Sequence, residues 1–337
     1  MADLSVRYMG LELRNPIVAG ASEMTSNLET IKRLAGAGVG AIVTKSLFEE
    51  QVQLQRFMFN EDLEKFNYRH AEMISVFPNM EFAGPEEHLM WVRRTKEAVD
   101  VPVIASLNAV NTETWLEYAK LLEQTGVDGL ECNLFAVPME MDKMGADIEN
   151  EQVGLVAELK NAVDIPVSIK LSHFYTNPLN VISRMDEAGA DAFVLFNRTF
   201  DPDFDIDSQT HTSPFNFSEK TDYRLPLRYA GLLHTHTEAD ICASTGVFSA
   251  GSLIKMLLAG ATAVQMVTAL YRHGIGHVGT MLTSMEEWMN VQGYGTIADF
   301  RGGLSQRNTS EPWAYTRAQY GKLLMNPKKV VGNVPVG

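Results

Sequence analysis

The sequence predicts an α/β fold, a (β/α)8 TIM barrel, because two alternating phrases mark seven buried strands and an initial apolar run adds an eighth. In the first, a helical pattern closes on a small residue plus Gly and an apolar run follows; the copies begin at Ala37, Thr125, Ala188 and Ala259. Glycine there tolerates the left-handed conformation that ends a helix. The run after it is short enough for a strand and apolar enough to be covered on both faces. In the second phrase a proline stands just ahead of the run, as in VDVPVIASLN at 99–108 and VDIPVSIKLS at 163–172, with a looser copy, TEADICASTG, at 237–246. Proline stops the preceding helix and offers no ladder donor where none is needed.

The first strand is expected at 17–20, after Asn15-Pro16, and a helical pattern over 28–34 leads to the second at 41–45. The third and fourth, at 102–106 and 129–133, flank a helical pattern over 113–122. Patterns over 151–162 and 178–188 lead to the fifth and sixth strands, at 167–170 and 192–196. The seventh, at 240–244, and the eighth, at 263–267, enclose a helix over 250–258. An open doubly wound sheet has about five or six parallel strands and usually a glycine-rich first turn; neither is found here. A barrel of this kind takes roughly 250 residues, so a chain of 337 has surplus. It falls at 48–84 and 198–224, leaving the C-terminal ends of strands 2 and 6 as lid-like insertions on one barrel domain spanning 1–337.

With 45% hydrophobic residues, 21% charged and 13 prolines, the composition is that of a globular chain and excludes disorder as its main state. The formal net charge of −14 argues against nucleic-acid and membrane partners, yet a local donor cluster can still hold a small anion. Cys132 and Cys242 lie in apolar runs and read as reduced core residues of a cytoplasmic protein. The start of the chain lacks the apolar stretch of a signal peptide. His173 could reach the barrel mouth, but His234 and His236 have no partner at metal-ligand spacing, so no metal is expected.

The apolar runs end in polar residues. Seven positions past the repeat glycines Gly38 and Gly126 stand Lys45 and Asn133; eight past Gly189 and Gly260 stand Asn197 and Thr268. The alternate strands end in Ser106 with Asn108, in Lys170, and in Ser244 with Thr245. A strand-end ammonium at a barrel mouth needs a counter-charge or a bound anion, which singles out Lys45 and Lys170. The loops at 244–251 and 267–270 follow strands 7 and 8, where barrels of this type commonly hold phosphate on backbone N–H groups. On this reading either lysine could hold a bound anion or, alternatively, form the Schiff base of an aldolase.

Asn15-Pro16, Thr44-Lys45-Ser46, Glu131-Cys132-Asn133-Leu134, Ile169-Lys170-Leu171, Ser244-Thr245-Gly246 and the run from Gln265 to Leu270 occur in that order over nearly the whole chain. In this the sequence resembles the dihydroorotate dehydrogenase family; the stretch at 293–300 is similar to that family's C-terminal end as well. The resemblance implies an FMN barrel that oxidises dihydroorotate, or another small planar anion, with hydride passing to flavin N5. It implies a homodimer in pyrimidine biosynthesis and leaves open a non-turnover electron-relay subunit working with a redox partner protein. Lys45 and Ser46 would lie beside the flavin, with Ala21 in the same cofactor set. Ser106 and Asn133 would bind its edge, and Lys170 would sit near N1/O2, where a cation stabilises the reduced ring. Ser244, Thr245, Gly246, Val267 and Thr268 would hold the phosphate, and Lys45, Asn133 and Asn197 the substrate. Two stretches depart from the family's pattern. Ala136 occupies the position of the family's Cys or Ser base and cannot accept a proton, and MISVFPN at 73–79 replaces the family's NSMGLPN.

Overall fold

The computed structural model describes residues 2–53, 85–135, 140–198, 202–212 and 217–317, together with Gly321 and Met325. Its barrel strands are β1 (Ile17–Ala19), β2 (Ala41–Val43), β3 (Val103–Asn108), β4 (Gly129–Leu134), β5 (Val167–Leu171), β6 (Ala192–Leu195), β7 (Asp240–Ser244) and β8 (Ala263–Met266). Each pairs in parallel with the next. β8 returns to β1 through Val264↔Ile17 and Gln265↔Val18, so the ring closes. The eight-stranded barrel expected from the two phrases is the fold observed.

The helices between strands are α1 (Leu28–Gly36), α2 (Pro85–Ala98), α3 (Thr112–Glu123), α4 (Gly145–Ala162), α5 (Pro178–Glu187), α6 (Arg224–Leu233) and α7 (Ala250–Ala259); α8 (Thr268–His273) and α9 (His277–Gln292) follow β8. Local chemistry fixes their ends. The Asn27 side chain accepts from Glu29 N and Thr30 N to cap α1, and Ser249 caps α7 by accepting from Ser252 N. The repeat glycines Gly38, Gly126, Gly189 and Gly260 all have positive φ, from 86° to 127°, which is the conformation their phrase called for.

Alternation along the strands divides the core in two. Ile17, Ile42, Leu130, Cys132, Ile169 and Phe193 pack outward with the helices. Val18, Ala41, Val43, Ile104, Val194 and Cys242 face the axis. Both cysteines are buried and free, and burial pushes both thiols well above their ordinary range. The inner cluster is completed by Tyr8, Met9 and Leu13, which belong to a hairpin of Val6–Tyr8 with Leu11–Leu13. Met9 N donates to Asp240 Oδ2 at 2.8 Å, at the start of β7, so this hairpin plugs the N-terminal end of the barrel. Nothing in its three-residue strands distinguishes it in the sequence.

Several boundaries differ from expectation; β3, for one, runs to Asn108 and not 106. β2 ends at Val43, because Lys45 N bonds Thr25 O at 3.0 Å instead of continuing the ladder. The helix expected over 151–162 starts a turn and a half earlier, at Gly145. Of the insertion at 48–84, residues 54–84 lie outside the described residues. The one at 198–224 carries an exposed antiparallel hairpin, Asp203–Asp205 with Thr210–Thr212, ahead of α6.

Candidate active site

The C-terminal ends of the strands surround a chamber of about 300 Å³. Its floor is set by strand register. Asn133 on β4 is the cross-strand neighbour of Lys170 on β5, and Glu131 that of Ser168, so these four side chains share the inner face. Cys132, between Glu131 and Asn133, packs outward. Lys170 Nζ lies 3.3 Å from Glu131 Oε1 and 3.2 Å from Gln265 Oε1, while Gln265 Nε2 donates to Glu131 Oε2. Glu131 is 1% exposed and Lys170 8%. A buried carboxylate persists only when paired and hydrogen-bonded; this three-membered ring satisfies that condition.

Lys170 lines the chamber, as do Ala21, Lys45 and Ser46 from the β1 and β2 ends. From the opposite side come Asn197, Ser244, Thr245 and Gly246, and beyond β8 Val267 and Thr268. Lys45 Nζ meets Glu23 Oε1 at 2.5 Å. Ser106, 1% exposed, does not line the chamber: its hydroxyl lies 2.6 Å from that of Ser46 and supports it from behind. Asn133, level with Lys170 on the neighbouring strand and partly exposed, does not line the chamber; its Oδ1 is buried without a hydrogen-bond partner. Ala136 lies outside the described residues.

Thr245 and Gly246 are consecutive residues with positive φ, 81° and 75°. A Cβ on Gly246 would stand 2.3 Å from Tyr223 N, so glycine lets the backbone ahead of α6 approach the β7 loop. Thr245 Oγ1 donates to Phe196 O at 3.2 Å, and Thr268 Oγ1 accepts from Ser218 N at 3.1 Å. The hydroxyl of Thr268 thereby ties the 217–223 segment to the start of α8. His173 stacks on Phe174 and lines a second cavity of about 530 Å³, which shares Asn197, Arg198 and Thr245 with the chamber.

Several chamber residues had no place in the sequence-based set: Glu23, Arg198, Phe217, Ser218, Gln265 and Tyr271. Glu131 and Gln265 stood inside motifs that were read for their neighbours. Period-two alternation from Asn133 would have placed Glu131 on the inner face, but nothing local pairs it with Lys170. Arg198 forms an ion pair of 2.6 Å with Asp222, and Arg272 one of 3.0 Å with Glu219; both fasten the segment before α6 to the mouth. Lys45, Lys170 and Arg198 thus converge on one crevice of a chain whose formal charge is −14. Among the described residues no three His, Cys, Asp or Glu cluster as metal ligands do.

A closed parallel barrel with lysines and amides gathered at its C-terminal mouth defines the class of (β/α)8 barrels, whose active sites lie at that face. Comparison with known proteins narrows that class. The family model described as dihydroorotate dehydrogenase matches residues 3–289, and the chain belongs to that family. It is 27% identical over 315 residues, 91% of this chain and all of the relative, to the dihydroorotate dehydrogenase B (NAD(+)) catalytic subunit of Thermoplasma volcanium. It is 25% identical over 320 residues, covering 89% of this chain and 76% of the relative, to the NAD-dependent dihydropyrimidine dehydrogenase subunit PreA of Escherichia coli. The chloroplastic dihydropyrimidine dehydrogenase (NADP(+)) of Arabidopsis thaliana is 26% identical over 341 residues, 91% of this chain and 78% of that one.

Proposed function

We propose that this chain is an FMN-dependent oxidoreductase acting on a carbon–carbon single bond of a small planar pyrimidine-like anion. The observation that carries the reading is the buried Lys170, held by Glu131 and Gln265 with its ammonium at the chamber. The residues fit a flavin. An ammonium at the floor, an orphaned Oδ1 on the neighbouring Asn133, apolar walls at Ala21, Met266 and Ala269, and a turn of two left-handed residues at Thr245-Gly246 suit a ring with an imide edge and a phosphate tail. FMN, when bound, would accept a hydride from the substrate. Lys170 would stabilise negative charge on the ring's pyrimidine side, and Ser46, backed by Ser106, would donate to its edge. The 244–246 and 267–268 loops would hold the phosphate, and Lys45 and Asn197, which line the chamber, would orient the substrate.

The substrate proton has no acceptor at position 136, so the dihydropyrimidine named for two relatives is as good a candidate as dihydroorotate. The Schiff-base alternative loses ground, because Lys170 Nζ already has two acceptors and Lys45 is paired with Glu23. Relatives named as subunits favour a redox partner protein, while a homodimer rests on the family resemblance alone. Visible absorption before and after anaerobic mixing with dihydroorotate or dihydrouracil tests the reading. A flavin band bleached by one of the two supports it; a protein that cannot be loaded with FMN overturns it. A band that neither compound bleaches removes the pyrimidine substrate class.

A further inference from the structure

Glu131 has so far been given no task beyond holding Lys170, yet it is the most buried carboxylate at the site. It lies behind Lys170, out of the chamber, with one oxygen toward the ammonium and the other toward Gln265 Nε2. An ammonium has three donors. Glu131 and Gln265 accept two of them, which leaves one N–H of Lys170 for the chamber. The ring of three also carries no net charge: one carboxylate, one ammonium, one amide. What it presents upward is therefore a single oriented donor rather than a full positive charge.

We infer that Glu131 is a positioning residue that fixes the direction of the one free Lys170 N–H and lowers the electron affinity of the bound flavin by neutralising the ammonium. The inference rests on the flavin reading for its second half only. Removing a negative charge a few ångströms from the redox group stabilises the reduced, anionic form, because opposite charges in a poorly solvated site interact strongly. The structure supplies the reason for burying a carboxylate there: without it Lys170 has Gln265 Oε1 as its sole remaining acceptor among the described residues and is free to rotate.

The test compares Glu131→Gln, which keeps the shape and removes the charge, with Glu131→Asp, which keeps the charge, after unfolding curves show both to be folded. Two readouts are taken. With an amine-reactive N-hydroxysuccinimide ester on the protein stripped of flavin, mass spectrometry should show Lys170 labelled severalfold faster in Glu131→Gln and near the wild-type rate in Glu131→Asp. With FMN loaded, dye equilibration should show the reduction equilibrium of Glu131→Gln shifted about tenfold toward the reduced form, about 30 mV for a two-electron couple, with Glu131→Asp near wild type. Unchanged Lys170 labelling in Glu131→Gln overturns the positioning role whatever the flavin does, and an unchanged or more negative potential overturns the tuning role. Faster labelling in a protein that cannot be loaded with FMN leaves positioning standing and sinks the functional reading instead.

Discussion

Lys170 Nζ and Glu131 Oε1 lie 3.3 Å apart, the ammonium at the chamber and the carboxylate outside it, one on β5 and one on β4, both almost out of reach of solvent. Their mutual dependence has a measurable consequence. Lys170→Met leaves Glu131 as an uncompensated buried charge and should cost about 3–5 kcal/mol in urea unfolding. Adding Glu131→Leu should recover a large part of that loss. A double variant whose destabilisation equals the sum of the two singles would show that the pair is not coupled.

Gly246 and Gly10 form a controlled comparison. Both have positive φ, 75° and 81°, but a Cβ on Gly246 meets Tyr223 N at 2.3 Å, whereas a Cβ on Gly10 meets nothing within 4 Å. Gly10→Ala should cost only backbone strain, about 1–2 kcal/mol. Gly246→Ala should cost clearly more and weaken FMN binding besides, since the β7 loop must move away from the residues before α6. Equal unfolding midpoints for the two variants would contradict this.

His88 on α2 gives a pH prediction with a defined sign. Burial, then the Lys45 ammonium, lower its pKa from 6.5 to about 4. Between those values the unfolded chain binds the proton and the folded one does not, so stability rises with pH through this window and is lost as pH falls from about 6.5 to 4. The expected contribution is on the order of 1–3 kcal/mol. It should disappear in His88→Gln when unfolding free energy is followed from pH 7 to pH 4.

Ala136 offers a gain-of-activity experiment. If the missing base is what limits proton removal, Ala136→Cys or Ala136→Ser should raise dihydroorotate oxidation, by up to roughly the 10²–10⁴-fold that general bases contribute. Rates would be read as anaerobic flavin bleaching in a stopped-flow mixer. No gain from either variant would mean that the pocket, and not only the base, is shaped for another substrate.

Much of the fold is written in short-range patterns. The repeat glycines close helices because left-handed φ is a local preference, and the apolar runs are strands because both faces are covered. Counting from those glycines reached Lys45, Asn197 and Thr268 at the chamber wall, because a strand carries its end residue to a fixed place on the rim. The count reached Asn133 too, beside Lys170, though it does not line the chamber. The plugging hairpin escaped detection, since three-residue strands have no period long enough to read.

The sequence alone therefore settled the closed ring of eight strands and the polar rim, which follow from local conformation repeated in order, and the family, which rests on motifs matched in order along the chain. Tertiary structure alone decided who partners whom: Lys170 with Glu131 across 39 residues, Gln265 with Glu131 across 134, and Ser46 with Ser106 across 60. Such pairings depend on the register of neighbouring strands and the closure of the barrel. No window of sequence contains both partners, so only the folded chain can bring them into one buried network.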